Sequence, residues 1–187
     1  MIINYLNQNH HTSIVYLLTY MKASTEHQLS SYLSFKIGEE VFAVNVSRVI
    51  EIVEMPPITS VPQAPPFMRG VINLRGSVLP VINTRIKFGL PAQADTINTC
   101  IVVIDVHIEQ EDVRIGIVAD AVQEVFELRE EEMIPPPRVG NKYKADFIKG
   151  LGRSDEKFIL ILDVDKVFTT SEASLLADTQ NELETIK

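Results

Sequence analysis

Few residues in this sequence are placed where they could carry out catalysis. His107 is the only histidine after residue 27, and it ends a predicted strand beside a charged turn, which is typical of a surface histidine. Asp163 and Asp165 follow an apolar run and could form an acid–base or metal-binding pair. Their position before Lys166 is more typical of a helix N-cap, where a carboxylate accepts hydrogen bonds from free backbone amides. No catalytic residue is therefore predicted.

The sequence also predicts no cofactor and no metal site. Residues 150–154 contain two glycines but lack the Lys-Ser/Thr pair of a phosphate-binding loop, and no dinucleotide fingerprint occurs. The single cysteine, Cys100, excludes an internal disulfide framework and any multi-cysteine zinc site. Because Cys100 begins an apolar strand, we expect it to be a small buried side chain. These patterns together argue against an enzyme.

Two charged residues are candidates for recognition of a protein partner. Arg75 stands between Leu74 and Gly76 at a predicted turn, where the glycine permits a positive φ or a close backbone approach. An arginine fixed on a rigid turn beside apolar strands suits a binding hot spot. Glu51 is a carboxylate within a mostly apolar stretch. Either residue alone is more often a solvated side chain, but together they could pair across a groove and fix the register of a bound protein.

Nucleic-acid binding is a distant alternative. Arg69, Arg75 and Arg85 lie close together in sequence, and small β-barrels do bind single strands. The net charge of −8 and the absence of tryptophan argue against a phosphate backbone as the main partner. We therefore expect no nucleic-acid partner.

The elements that must position these residues are mainly strands. Alternation of polar and apolar residues, with turn residues between the runs, predicts hairpins of short strands. These predicted strands are residues 32–37, 41–46, 71–74, 78–82, 100–106, 113–118 and 158–162. All ten prolines lie between residues 56 and 137, in clusters that mark extended loops. Helices are expected to be short, near 46–50, 84–88 and 163–168, with a further helix from residue 171.

An internal repeat organises the chain. Phe67-Met-Arg-Gly-Val aligns with Phe147-Ile-Lys-Gly-Leu at an offset of 80, and the alignment continues without a gap to Phe88 on Phe168. Residues 42–54 align with 115–127 at an offset of 73. The two offsets differ by seven residues, which are extra loop in the second copy. Two copies of one unit of short strands predict two small barrels that share a core.

The length of 187 residues suits one domain or two small packed ones. We divide the chain into residues 1–30, an extension expected to be disordered or to reflect a misassigned start, residues 31–170, and a helix or tail at 171–187. The body has two intertwined halves, about 32–90 and 98–170. No apolar run approaches the roughly 20 residues of a membrane-spanning helix, so no direct membrane insertion is expected.

The stretch Gly70-Val-Ile-Asn-Leu-Arg-Gly-Ser-Val-Leu-Pro-Val-Ile resembles the CheW family of chemotaxis coupling proteins. Similarity continues through residues 32–40, 49–53, 116–120, 147–152 and 159–163, and so covers about residues 31 to 170. The resemblance implies a mainly β fold of two SH3-like five-stranded β-barrels that share a hydrophobic core, with short helices and a C-terminal helix. It also implies a cytoplasmic, non-enzymatic adaptor, recruited to membrane-bound receptor arrays. There it would join chemoreceptor cytoplasmic tips to the regulatory domain of the histidine kinase CheA.

Site residues follow from the same resemblance. Arg75, Glu51, Gly70 and Cys100 align with positions around the receptor groove. Val44, Val46 and Val49 align with an apolar surface that faces the kinase. Asn83-Thr-Arg replaces the more usual Asp-Leu-Arg, and Cys100 replaces a β-branched residue, so which receptor system is served stays open. A paralogue that serves twitching motility or another kinase array is the alternative.

Overall fold

The computed structural model describes residues 29–108, 111–136, 146–154, 157–169, 171–172 and 174–178. Residues 1–28 of the predicted extension and residues 179–187 of the predicted tail lie outside these ranges. Ten strands and the short α-helix that follows the fifth strand come in the following order in the described part of the chain. They are β1 (Leu29–Ile37), β2 (Glu40–Asn45), β3 (Val49–Glu54), β4 (Met68–Leu74), β5 (Ser77–Ile82), α1 (Thr84–Lys87), β6 (Cys100–Ile108), β7 (Glu111–Ala119), β8 (Ala121–Arg129), β9 (Ile148–Ser154) and β10 (Lys157–Leu162).

The strands form two five-stranded sheets, which confirms the predicted fold class. Sheet 1 has the order β8-β1-β2-β10-β9, and sheet 2 has the order β3-β6-β7-β5-β4. All neighbours are antiparallel except β2 with β10 and β5 with β7, which are parallel. Each sheet takes strands from both halves of the chain. Sheet 1 joins β1 and β2 to β8–β10, while sheet 2 joins β3–β5 to β6 and β7.

The internal repeat of the sequence is confirmed in the topology. If β1–β5 are replaced by β6–β10 and the reverse, the strand order of one sheet becomes that of the other. Contacts repeat as well. The rings of Phe67 and Phe168 lie 6.3 Å apart, and their repeat equivalents Phe147 and Phe88 lie 4.8 Å apart. The amides of Asn83 and its equivalent Asp163 each donate to the carbonyl of the corresponding phenylalanine at 2.7 Å.

The hydrophobic core has three parts. A large central core takes buried side chains from both sheets, and each sheet also packs a smaller cluster on its other face. The sheet 1 cluster contains Tyr32, Ala43, Leu128, Ile159 and Ile161. The sheet 2 cluster contains Ile72, Leu79, Val81, Ile101, Val103 and Val118. The shared core of the predicted fold is the central one.

Strand β6 shows why both faces of a strand can be apolar here. Its side chains alternate, as they must in a pleated strand, so Ile101 and Val103 join the sheet 2 cluster while Val102 and Ile104 join the central core. Both sets are fully buried. The unbroken apolar run of β6 therefore reflects a strand that is buried on both faces, not a strand with one solvent-exposed face.

A helical segment packs the end of the described chain onto the body. Residues 171–172 and 174–178 are helical, and Leu176 is fully buried in the central core. Thr169 and Glu172 form a reciprocal cap, with the Thr169 amide donating to the Glu172 carboxylate at 2.8 Å. Lys87 Nζ lies 2.7 Å from both oxygens of that carboxylate. Among the described residues, no helix has the length and apolar character needed to cross a membrane.

Candidate functional site

Arg75 stands at the tip of a two-residue hairpin in sheet 2. Leu74 pairs with Ser77, so only Arg75 and Gly76 connect β4 to β5. Both residues have positive φ, 53° and 93°, which is the signature of a type I′ turn that matches the twist of a hairpin. Asn73 Oδ1 accepts from the Gly76 amide at 2.7 Å and closes the turn. Positive φ is unfavourable for arginine, so the turn holds Arg75 in a conformation that it would otherwise seldom adopt.

Arg75 pairs with Glu51, which is one of the two arrangements that the sequence left open. Arg75 Nη2 donates to Glu51 Oε2 at 2.8 Å, with 80% of the Arg75 side chain exposed but only 15% of that of Glu51. Glu51 lies on β3, one edge of sheet 2, while the Arg75 turn belongs to the β4–β5 hairpin at the other edge. The ion pair therefore draws the two ends of the sheet together, and leaves most of a guanidinium free to meet a partner.

Half-buried apolar side chains come from the same strands as this pair and from the segment after β3. They surround the sheet 2 cluster and come from β3, from the segment after it and from the end of β4. They are Ile50, Val53, Met55, Ile58 and Leu74. A bulge in β3 between Val49 and Glu51 changes the alternation, so that Glu51 shares a face with Val53 while Val49 and Ile52 point into the central core. We call these five side chains, with Arg75 and Glu51, the Arg75 groove, after the groove that the sequence analysis predicts around this pair.

Gly70 and Cys100 lie near this groove but offer no exposed side chain to it. Gly70 is buried with φ of +144°, and a Cβ there would stand 2.3 Å from the carbonyl oxygen of Thr59. Only glycine lets the 58–59 segment bridge to β4 at Val71. Cys100 is fully buried in the central core, and that burial raises the pKa of its thiol to about 11. Gly70 therefore allows a backbone bridge to form, and Cys100 fills space in the central core.

The structure corrects the prediction that Val44, Val46 and Val49 form a surface. All three side chains are at most 3% exposed and pack in the central core. Their apolar character comes from burial between the two sheets, because β2 and β3 each turn one face to that core. As side chains they are not available to a partner in this structure.

The Arg75 groove belongs to sheet 2 alone. By the repeat offsets, Glu51 corresponds to Glu124, and Arg75 corresponds to Asp155. The second half therefore has two acidic residues where the first half has an acid and a base, and the placement of Asp155 lies outside the described residues. Two carboxylates cannot form the attractive pair that joins β3 to the Arg75 turn, so the sequence provides for this ion pair in the first copy only.

The other two arginines that the nucleic-acid alternative would use, Arg69 and Arg85, are paired with carboxylates. Arg69 forms a two-pronged pair with Asp95, and Arg85 is bound by both oxygens of Asp120, at 2.9 Å from Nε and 2.6 Å from Nη2. Hydrogen bonding to Asp95 raises the pKa of Arg69, which keeps this pair charged. These pairs leave little free positive charge for phosphates.

The candidate catalytic groups are engaged in structural contacts. His107 Nδ1 lies 2.9 Å from Asp112 on the surface. Asp165 accepts from the His107 backbone amide at 2.7 Å and pairs with Arg48, while Asp163 lies 2.7 Å from Lys166 Nζ. Asp163 occupies the N-cap position of a short 3-10 helix, as predicted, but its side chain makes no capping hydrogen bond. Within the described part of the chain, no group of three His, Cys, Asp or Glu residues could hold a metal.

The apolar members of the groove were not singled out by sequence. In the sequence they look like ordinary strand positions, and these include Ile50, Val53 and Leu74. Alternation shows which residues share a face of a strand, but not whether that face is fully or only partly buried. The signal that could have found them is the repeat. Val53 and Leu74 correspond to Phe126 and Ser154, so the two copies differ in the lining of this region.

Comparison with known proteins matches this architecture. The model of the CheW-like domain family matches residues 31–172. The chain is 30% identical over 140 residues to the chemotaxis protein CheW of Rhizobium meliloti, an alignment that covers 75% of this chain and 88% of that protein. It is 33% identical over 135 residues to the chemotaxis protein CheW of Thermotoga maritima, covering 72% and 85%.

A solved structure agrees with the fold. The scaffolding protein TtCheW from Thermoanaerobacter tengcongensis superimposes with a TM-score of 0.65 at 31% identity, over 74% of this chain and 92% of that one. These relatives are named as chemotaxis and scaffolding proteins, not as enzymes. With two interleaved five-stranded sheets and a family match over most of its length, this chain belongs to the CheW-like family.

Proposed function

We propose that this chain is a non-enzymatic scaffold of a chemotaxis system that binds a chemoreceptor and the histidine kinase CheA at the same time. The observation that supports this most directly is the Arg75–Glu51 pair beside half-buried apolar side chains. An exposed arginine on a rigid turn next to apolar anchors is the composition of a protein-binding hot spot. The Arg75 groove lacks the convergent titratable groups that an active site would need.

The receptor side of the proposal assigns the Arg75 groove to the cytoplasmic tip of a chemoreceptor. Such a tip is helical, and a helix docks by laying one apolar stripe into a groove while a charged residue fixes its register. The half-buried Ile50, Val53 and Leu74 would receive the stripe, and Arg75 would meet an acidic side chain of the receptor. Gly70 and Cys100 take part only indirectly, Gly70 by allowing segment 58–59 to bridge to β4 and Cys100 by packing in the central core.

The kinase side assigns a second face to the regulatory domain of CheA. Val44, Val46 and Val49 enter this assignment as core residues that hold segment 44–49 in place, since their side chains are buried. With both partners bound to one rigid body, a change of receptor state alters the relative free energy of two assembly geometries, and the scaffold transmits that difference without chemistry of its own. Recruitment to receptor arrays at the membrane follows from this arrangement.

The test is binding of the full chain to a receptor signalling fragment and, separately, to the CheA regulatory domain, measured by calorimetry. We expect Arg75→Ala to weaken receptor binding roughly 10- to 100-fold, about 1–3 kcal/mol, and to leave kinase binding and circular dichroism unchanged. Arg114→Ala is the matched control, because Arg114 is also an exposed arginine paired with a carboxylate, Asp105, at 3.1 Å.

Two results would contradict this proposal. Equal weakening by Arg75→Ala and Arg114→Ala would mean that general electrostatics, not the groove, governs receptor binding. Binding of neither partner by the unmodified chain would refute the scaffold. Repeating the measurement with receptor and kinase fragments of a pilus-motility system distinguishes a paralogue that serves that system.

A further inference from the structure

Neither half of this chain forms a complete sheet by itself, because each sheet contains strands from both halves. Of the eight strand pairings, four are hairpins within a half, namely β1–β2, β4–β5, β6–β7 and β9–β10. The other four cross between the halves, namely β1–β8, β2–β10, β3–β6 and β5–β7. Strand β3 pairs only with β6 of the other half, and β8 pairs only with β1. Residues 29–88 and 100–178 are thus two pieces that complete each other.

A single linker, residues 89–99, connects the two pieces. It has no helix or strand, and most of its residues are exposed. Its polar contacts beyond its own residues go to the first piece. Asp95 pairs with Arg69, and Arg85 bonds to Gln93 and to the carbonyl oxygen of Pro91. The linker is therefore fastened at the surface of the first piece and contributes few contacts to the second.

From this geometry we propose that two copies of the chain exchange halves, so that residues 29–88 of each copy pair with residues 100–178 of the other. Every crossing ladder, the central core and the Lys87–Glu172 pair would form with the same partners as in the single chain. Only the path of the linker would change. Because the contacts in the two forms are alike, the balance between them depends on protein concentration and on the linker.

The exchange takes place during folding rather than by association of folded chains. Separating the halves of a folded chain breaks four ladders and opens the central core, which amounts to unfolding. Monomer and exchanged dimer therefore interconvert slowly once folded, and the proportion of dimer is fixed by the concentration at which chains fold.

Complementation between two full-length, differently tagged chains tests the proposal. One chain carries Leu33→Asp in the first half, and the other carries Ile161→Asp in the second half; both positions are fully buried. Exchange unites the two unaltered halves in one complete module. We expect co-expression to give a mixed dimer, isolated through both tags, whose circular dichroism shows folded β structure that neither chain gives alone.

The matched control places both lesions in the same half, with Leu33→Asp on one chain and Ile72→Asp on the other. Here each exchanged module keeps a lesion, so no folded mixed dimer is expected. Mixed dimers from both pairs, or from neither, would overturn the proposal. Because no receptor or kinase enters the assay, its failure is independent of the proposed function.

The unmodified chain provides a second measurement. Two tagged forms are unfolded in urea, mixed and refolded at high and at low protein concentration. We expect mixed dimers to increase several-fold with concentration and to persist on dilution. Refolding that yields monomer at every concentration would also overturn the proposal.

Discussion

At the scale of residues, burial decides which of the predicted contacts can be made directly. The sequence left open whether Arg75 and Glu51 pair or are solvated separately; in the structure they pair, with the arginine mostly in solvent. The three valines predicted to face the kinase are instead packed between the sheets. The difference follows from the fold. A strand that packs between two cores is apolar on both faces, and an apolar composition does not show whether a face is buried or exposed to a partner.

Val46→Asp tests this correction. A carboxylate at Val46 would stand in the central core with no partner, so we expect a loss of about 4 kcal/mol or more in the free energy of unfolding, or no folding at all. Ser47→Asp, at the exposed neighbouring position, should change stability by less than about 0.5 kcal/mol. Urea unfolding followed by circular dichroism measures both variants, and a well-folded Val46→Asp protein would restore the surface assignment.

A second buried residue carries an unused polar group. Thr84, at the start of α1, is 2% exposed, and its hydroxyl has no hydrogen-bond partner in the described structure. Its repeat equivalent is Val164, which is also buried. Thr84→Val replaces the hydroxyl by a methyl group of similar shape, so we expect a gain of about 1 kcal/mol in stability.

Thr99→Val is the control for that change. Thr99 is buried too, but its Oγ1 accepts from the Thr96 amide at 2.8 Å. Its replacement leaves that amide without a partner, so we expect a loss of about 1–3 kcal/mol. Thermal unfolding of both variants gives the comparison, and shifts of the same sign would mean that the Thr84 hydroxyl is bonded in solution.

At the scale of elements, the carboxylate of Glu172 ties the helical residues 171–172 and 174–178 to Lys87, in addition to the burial of Leu176. Burial of Glu172 opposes its ionisation, but hydrogen bonds from Lys87 and Thr169 outweigh that effect, and the pKa of Glu172 lies below its ordinary value. The stabilisation is therefore complete above the ordinary pKa of a glutamate and is lost as the pH falls through the lowered pKa. We expect acid to release this helix before it unfolds the sheets.

NMR of the Leu176 methyl groups measures this release, since Leu176 is fully buried in the central core. The signals should move to exposed values as the pH is lowered, while those of Ile104 stay unchanged over the same range. Glu172→Gln keeps the hydrogen-bonding shape but removes the charge, so the release should lose its pH dependence. Simultaneous change at Leu176 and Ile104 would show that the helix and sheets unfold together.

The sequence allowed most strands to be predicted, but not all. Alternation identified β1, β2, β4, β5, β6, β7 and β10, and the repeat predicted two related units. Strands β3, β8 and β9 were not predicted as strands. Edge strands such as β8 and β9 carry charged residues or glycines, so they lack the continuous apolar signal of central strands.

At the scale of the whole molecule, the pairing of distant strands could not be predicted from pattern. Alternation of polar and apolar residues shows which residues of a strand share a face, but it does not show which other strand is its neighbour in the sheet. The parallel contacts of β2 with β10 and of β5 with β7 join segments far apart in sequence, and no local turn specifies them. The charged residues of the groove could be found from the sequence, because Arg75 lies at a turn and Glu51 lies within an apolar stretch. Its apolar lining depends on the tertiary arrangement.

The interleaving of the two halves has a consequence for synthesis of the protein on the ribosome. Strand β1 emerges about 90 residues before its partner β8, and β2 waits still longer for β10. At roughly 5–20 residues per second, the first strands spend several seconds with unpaired edges while translation continues. The nascent chain thus has a window in which chaperones, or another nascent copy on the same messenger RNA, can reach those edges before its own second half does.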